Sequence, residues 1–276
     1  MFVWLASYPK SGNTWLRAAL WSLLHDGATV DLDALADIGG TAAGRNVFER
    51  TLSVQSADLT ADEVEDLRPV ALTLRAARMR KRQAHKVHDA WRRAPNGRPL
   101  FPAEATAGAI YVVRDPRAVV PSWAHHARVS ADAAIAFLAD PTAALAADPG
   151  TGTIVLPERL TTWSRHVESW LDGPSEPPVV IRYEDMLADP ARELRRAAAV
   201  MGWSVTAGAL AGAVAATRFD ALRRTEADQG FRERSIGTAA FFRRGEAGGW
   251  RDELTPAQVR RIEDDHAPVM RRLGYL

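Results

Sequence analysis

Near the start of the chain a lysine, two hydroxyls and a glycine fall close together: Lys10, Ser11, Gly12 and Thr14. Lys10 offers a point charge, and Ser11 and Thr14 offer hydroxyl donors. Gly12 lets the backbone approach a bound group closely. The set suits an anion. The usual phosphate loop, GxxxxGK[ST], places its lysine after the second glycine, whereas here Lys10 precedes Gly12. A surface turn with an incidental lysine is the other reading this loop alone permits. Further on, Lys86 and His88 are two residues apart. An imidazole with a pKa of about 6.5 can take a proton from a hydroxyl at neutral pH, although a single histidine is more often structural. Arg114 follows an apolar run, which by itself is weak evidence for a ligand.

The elements that must position these residues are legible. Val3 to Ala6 reads as a strand, Tyr8 to Asn13 as a turn punctuated by Pro9 and Gly12, and Thr14 onward as a helix with Leu16, Leu20, Leu23 and Leu24 at helical spacing. A helix start offers unpaired N–H groups and a positive dipole end to a phosphate. Alternation puts Lys86 and His88 on one side of a short strand and turns His85, the competing candidate, away. The runs Ala109–Val113 and Val179–Ile181 read as strands buried on both faces of a parallel sheet. Arg114 then stands where open α/β sheets bind ligands, at the carboxyl end of a strand. Thr60 predicts a helix N-cap, with the helix broken near Pro69 and its basic end solvated. Ala131–Ala134 begins a helix followed by an irregular connection through Asp140 and Asp148-Pro149-Gly150, and Leu160, Trp163, Val167 and Trp170 mark an amphipathic helix. Residues 225–241, polar and containing Gly230 and Gly237, read as a mobile loop in the position of a lid. Thr255 and Pro256 open a last helix.

The wording of the first loop, Tyr8-Pro9-Lys10-Ser11-Gly12-Asn13-Thr14-Trp15, resembles the 5′-phosphosulfate loop of the sulfotransferases that use 3′-phosphoadenosine-5′-phosphosulfate (PAPS). Four further segments resemble that family in order: Lys86-x-His88, Val113-Arg114-Asp115-Pro116 with Ser122, Tyr183-Glu184-Asp185-Met186, and Arg243-Arg244-Gly245 with Trp250. The resemblance spans residues 3 to 275 and implies a single α/β domain over 1–276, three layers deep, with a mostly parallel central sheet of about five strands and a P-loop-like phosphosulfate loop. It implies that Lys10, Ser11, Gly12, Asn13, Thr14 and Trp15 hold the phosphosulfate and adenine, with Ser11 holding Lys10 aside until the acceptor arrives. Arg114, Ser122, Arg243, Arg244 and Gly245 would take the 3′-phosphate, and Tyr183 and Thr217 would contact adenine. Arg244 stands where the family has lysine, and Arg218 where it has serine. His88 would be the general base, with Lys86 beside it and Lys10 stabilising the leaving group.

The implied reaction moves a sulfuryl group to a hydroxyl or amine of a small-molecule acceptor and releases adenosine 3′,5′-bisphosphate (PAP), without a metal. Two alternatives differ in class: an ATP-dependent phosphotransferase, which would require Mg²⁺, and a non-catalytic relative that only binds the nucleotide. The chain of 276 residues contains no cysteine, which excludes disulfides, cysteine–zinc sites and thiol catalysis. A net charge of +1 gives no global field toward nucleic acid or membrane. No stretch approaches the roughly 20 apolar residues of a membrane span, and no signal-peptide layout is present, so the expected location is cytoplasmic.

Overall fold

A computed structural model of the chain describes residues 1–147, 153–234, 238 and 240–276, apart from the side chain of Asp37. The elements in chain order are β1 (Phe2–Ser7), α1 (Asn13–Leu24), α2 (Arg45–Leu52), α3 (Ala61–Ala77), β2 (Gln83–Val87), β3 (Thr106–Val113), α4 (Pro116–Ala127), α5 (Ala131–Ala139), β4 (Ala144–Leu145), β5 (Glu158–Arg159), α6 (Trp163–Asp172), β6 (Val179–Arg182), α7 (Tyr183–Ala188), α8 (Pro190–Met201), α9 (Ala207–Ala216), α10 (Phe219–Gln229) and α11 (Pro256–Arg272).

Strands β2, β1, β3 and β6 lie in that order in a parallel sheet. Alternation along β1 sends Phe2, Trp4 and Ala6 to one face and Val3 and Leu5 to the other. The first set packs with Tyr111 of β3, Leu72 of α3, Val120 of α4, Trp163 and Trp170 of α6 and Met270 of α11. The second packs with Leu16 and Leu20 of α1, Ile110 of β3, Leu194 of α8 and Leu210 of α9. Helices therefore cover both faces, giving three layers around a mostly parallel sheet.

Among the described residues this sheet has four strands rather than about five. All four are segments that the sequence marks as apolar runs or alternations, and none of its other segments joins them. A separate antiparallel pair, β4 with β5, aligns Leu145 with Glu158. Helix α3 runs through Pro69 instead of breaking there. The lost hydrogen bond at the proline is outweighed by a buried face on both sides of it, Val64, Arg68, Ala71 and Leu72, and by a complete capping box between Thr60 and Glu63. The expected loop over 225–241 begins instead as α10, because Leu222, Thr225 and Glu226 form a buried stripe at helical spacing. Gly237 and the Asp148-Pro149-Gly150 connection lie outside the described residues.

Candidate active site

The carboxyl ends of β1, β2, β3 and β6 all lead into one cavity of about 640 Å³. Lys10, Gly12, Asn13, Thr14 and Trp15 reach it after β1, and Lys86 and His88 at the end of β2. Arg114 and Ser122 line it from β3 and α4, Tyr183 from α7, and Thr217, Arg243, Arg244 and Gly245 from the last third of the chain. Of the site residues expected from sequence, Ser11 alone is absent from the lining. It is buried, and its Oγ has no hydrogen-bond partner. The expected Ser11–Lys10 contact is therefore not made. Lys10 Nζ sits instead 4.4 Å from the centre of the Phe241 ring.

The loop's shape explains its residues. Lys10 has φ +68° and Gly12 φ +106°, a left-handed region that non-glycine residues occupy at a cost of about 1–2 kcal/mol. A Cβ at Gly12 would lie 2.7 Å from the Tyr183 ring. Helix α1 starts without a side-chain cap, whereas Thr60, Ser130, Thr162, Thr206 and Thr255 each cap theirs. Its first N–H groups are left for an anion. The Asn13 amide is committed to the fold, donating to Leu5 O at 2.8 Å and Ser7 Oγ at 3.2 Å. Trp15 Nε1 donates to Thr217 O at 2.9 Å, and its ring meets Tyr183 edge-on at 5.3 Å. The Arg114 guanidinium lies 4.1 Å over the other partner of that pair, Tyr183. These contacts build an aromatic wall with a cation upon it. The Thr217 hydroxyl donates back to Ala213 O.

Several cations already have carboxylate partners. Arg243 forks onto Glu253, and Arg244 shares that carboxylate at 3.1 Å. Gly245, at φ +68°, abuts the Phe219 ring. Glu233 gathers three groups: Arg17 at 2.6 Å, Thr14 Oγ1 at 3.2 Å and Lys86 Nζ at 3.5 Å. Burial would raise the Glu233 carboxyl, but Lys86 and Arg17 hold it down at about 2. It is thus a poor proton acceptor. Lys10 is pushed down to about 8, first by burial and then by repulsion from Lys86 and Arg114. Excess positive charge of this kind attracts an anion.

His88 is the first residue beyond β2 and lines the cavity. Its Nδ1 lies 2.8 Å from Ser7 O. A carbonyl only accepts, so Nδ1 carries the proton and Nε2 is the bare nitrogen. Burial, followed by repulsion from Lys86, lowers the ring to about 3, so it is neutral at physiological pH. His85 packs edge-on against Phe2 at 4.7 Å and does not line the cavity.

Sequence reading passed over Arg17, Glu158 and Phe241 and left the acceptor-side wall unresolved. Ala36, Gly40, Thr41, Trp123, Leu145, Ile154 and Val155 also line the cavity. Arg17 did carry a signal, since it is a lone cation in an otherwise apolar helix segment. Glu158 carried none. Glu233 lay in view as one of many polar residues, with nothing to mark it as inward-pointing. Replacing it, as Glu233→Gln, leaves Arg17 buried with a neutral partner. Thermal or urea unfolding should show a loss of about 1–3 kcal/mol. The Glu233 carboxyl lies below its unfolded value, so its contribution is present above about pH 4.5 and lost as pH falls toward 2. The wild-type advantage over the variant should shrink over that window, and a constant difference would refute the ion-pair account.

A family model described as "Sulfotransferase domain" matches residues 2–274. Cytosolic sulfotransferase 16 of Arabidopsis thaliana is 26% identical over 94% of this chain and 73% of its own length. Sulfotransferase 1A1 of the dog is 26% identical over 60% of this chain and 55% of its own. Among solved structures, mouse sulfotransferase SULT7A1 complexed with PAP superposes with a TM-score of 0.60 at 21% identity, covering 98% of this chain and 84% of that one. Retinol dehydratase in complex with androsterone and PAP gives 0.64 at 19% identity, covering 98% and 80%.

Proposed function

The chain belongs to the sulfotransferase domain family, and from that premise we propose that it moves a sulfuryl group from PAPS to a hydroxyl or amine of a small-molecule acceptor, with His88 as general base. The observation that carries this reading is the pairing in one cavity of a cation-rich, uncapped helix start with an imidazole whose Nε2 is unprotonated. As the acceptor oxygen attacks sulfur, Nε2 takes its proton. The new S–O bond forms while the bond from sulfur to the bridging phosphate oxygen breaks, and PAP leaves. Charge growing on that oxygen is met by Lys10 and the first N–H groups of α1. Lys86 stands beside His88 and faces the donor. Arg114, Ser122, Arg243 and Arg244 recognise the 3′-phosphate, with Gly245 allowing close backbone approach, and Trp15, Tyr183 and Thr217 form the adenine wall. PAP in the neighbouring structures supports the donor, and androsterone in one of them supports a small-molecule acceptor. The apolar wall of Trp123, Leu145 and Val155 suits such a body.

Calorimetric titration of PAP without metal, beside adenosine 5′-monophosphate, tests the donor site. The 3′-phosphate adds charge-assisted hydrogen bonds to arginine, so PAP should bind about 10–100-fold more tightly. Equal affinities, or turnover only with ATP and Mg²⁺, would move the assignment to phosphotransfer.

A further inference from the structure

Beyond Val87 the ladder between β1 and β2 ends, so the peptide groups of His88 have no strand to pair with. They are held instead by side chains from far along the chain. Glu158 of β5 accepts the His88 N–H at 2.8 Å. On the other side, His166 Nε2 of α6 lies 2.9 Å from the His88 carbonyl. A carbonyl only accepts, so His166 Nε2 carries the proton and its Nδ1 is bare. The Tyr111 hydroxyl, 2.8 Å from that Nδ1, is therefore the donor. Tyr111 and His166 are both fully buried. We infer that Tyr111 and His166 are positioning residues, a buried hydrogen-bonded relay that fixes the His88 peptide and so aims its Nε2 at the acceptor.

The relay ends on a backbone carbonyl and not on the His88 ring, so it carries no proton to the reaction. Its two members are locked in one protonation state. Burial lowers His166 to about 4 and raises the Tyr111 phenol well above its ordinary range. The His88 carbonyl sets the tautomer of His166, Tyr111 supports that tautomer by donating to Nδ1, and His166 in turn holds the direction of the carbonyl. The groups that bear on the charge of the His88 ring are Lys86 on its own strand, His166 and Glu233, with Glu158 bonded to its peptide. His166 couples it to the core on the Tyr111 side.

This inference rests on His88 being the base, and its test separates the two ideas. His166→Leu removes the donor, while His166→Gln keeps an N–H at a similar reach. His166→Leu should lower kcat by about a hundredfold, with the KM values and PAP affinity changed less than about twofold, and His166→Gln should recover most of that loss. Tyr111→Phe is the milder change and should cost about tenfold in kcat. With the ring released toward solvent, the kcat profile of His166→Leu should gain an acid limb near pH 6, which the wild type lacks. Ring-nitrogen NMR of the unliganded wild type should show His166 as a single Nε2–H tautomer between pH 5 and 8. A wild-type His166 that titrates in that range, or that carries Nδ1–H, overturns the relay whatever the activity. Equal kcat in wild type, His166→Leu and His166→Gln overturns it as well. If His88→Ala turns over normally while the NMR result holds, the base assignment fails and the relay stands as architecture alone.

Discussion

His88→Ala should lower kcat by about 10²- to 10⁴-fold, the range that a positioned general base supplies, while PAP binds as it does to the wild type. The separation follows from geometry. The imidazole touches Ser7 through Nδ1 and lines the cavity with Nε2 left bare, and the cations proposed to hold the nucleotide come from other elements. The ring's depressed pKa also gives a pH signature. Its neutral, proton-accepting form is present above about pH 3, so the wild-type rate should show no inflection at the ordinary histidine value. The sign for stability is the same. A histidine lowered in the folded state contributes stability above its unfolded value of about 6.5 that is lost as pH falls toward 3. Binding of a phosphosulfate should dampen the repulsion from Lys86 and raise the basicity of Nε2, so the base should strengthen when the donor is in place. Steady-state kinetics on the variant, with PAP calorimetry as the control, checks this. Near-normal turnover by a variant that binds PAP would remove His88 from the mechanism.

What the sequence made legible follows from how local each feature is. The strand–loop–helix at Val3 to Leu24 is written in adjacent residues, and the structure keeps it within a residue or two. Alternation separated His88 from His85, because a strand sends neighbours to opposite faces. An inner strand of a parallel sheet is apolar on both faces, which made Ala109–Val113 in β3 legible. Val179–Ile181 was legible as a strand by the same apolar wording, but β6 is an edge strand and its Val179 and Val180 are only half-buried. Features made by partners distant in sequence left little trace. Glu233 lies 216 residues from Arg17, and His166 lies 78 from His88. Glu226, which accepts the N–H groups of Phe241 and Phe242 at 2.6 and 3.0 Å, looked like one charge in a polar run. A buried carboxylate and a solvated one are the same letter, and only the fold decides between them. Pro69 misled for the related reason that helix propensity yields to a well-packed face.

Lys10→Met should cost about 10²- to 10³-fold in kcat, the typical loss on removing a preorganised group from developing charge, with a smaller effect on PAP affinity because Arg114 and the uncapped helix start remain. A proton-linkage measurement makes the assignment sharper than kinetics alone. Lys10 falls from its ordinary 10.5 to about 8 in the free protein, through burial and the nearness of Lys86 and Arg114. The folded protein thus gives up this proton more readily than the unfolded chain. From this group, stability rises with pH between about 8 and 10.5, and below 8 the charged ammonium is a standing cost. A phosphate placed beside the ammonium reverses that balance and lifts its pKa. At pH 9 the binding of PAP to the wild type should therefore take up protons, read by calorimetry in buffers of different ionisation enthalpy. Affinity should decline as pH rises through 8. Lys10→Met should show neither the uptake at pH 9 nor the decline, because the ammonium that takes up the proton is gone. The same uptake in both proteins would place the titrating group elsewhere and detach Lys10 from the phosphate.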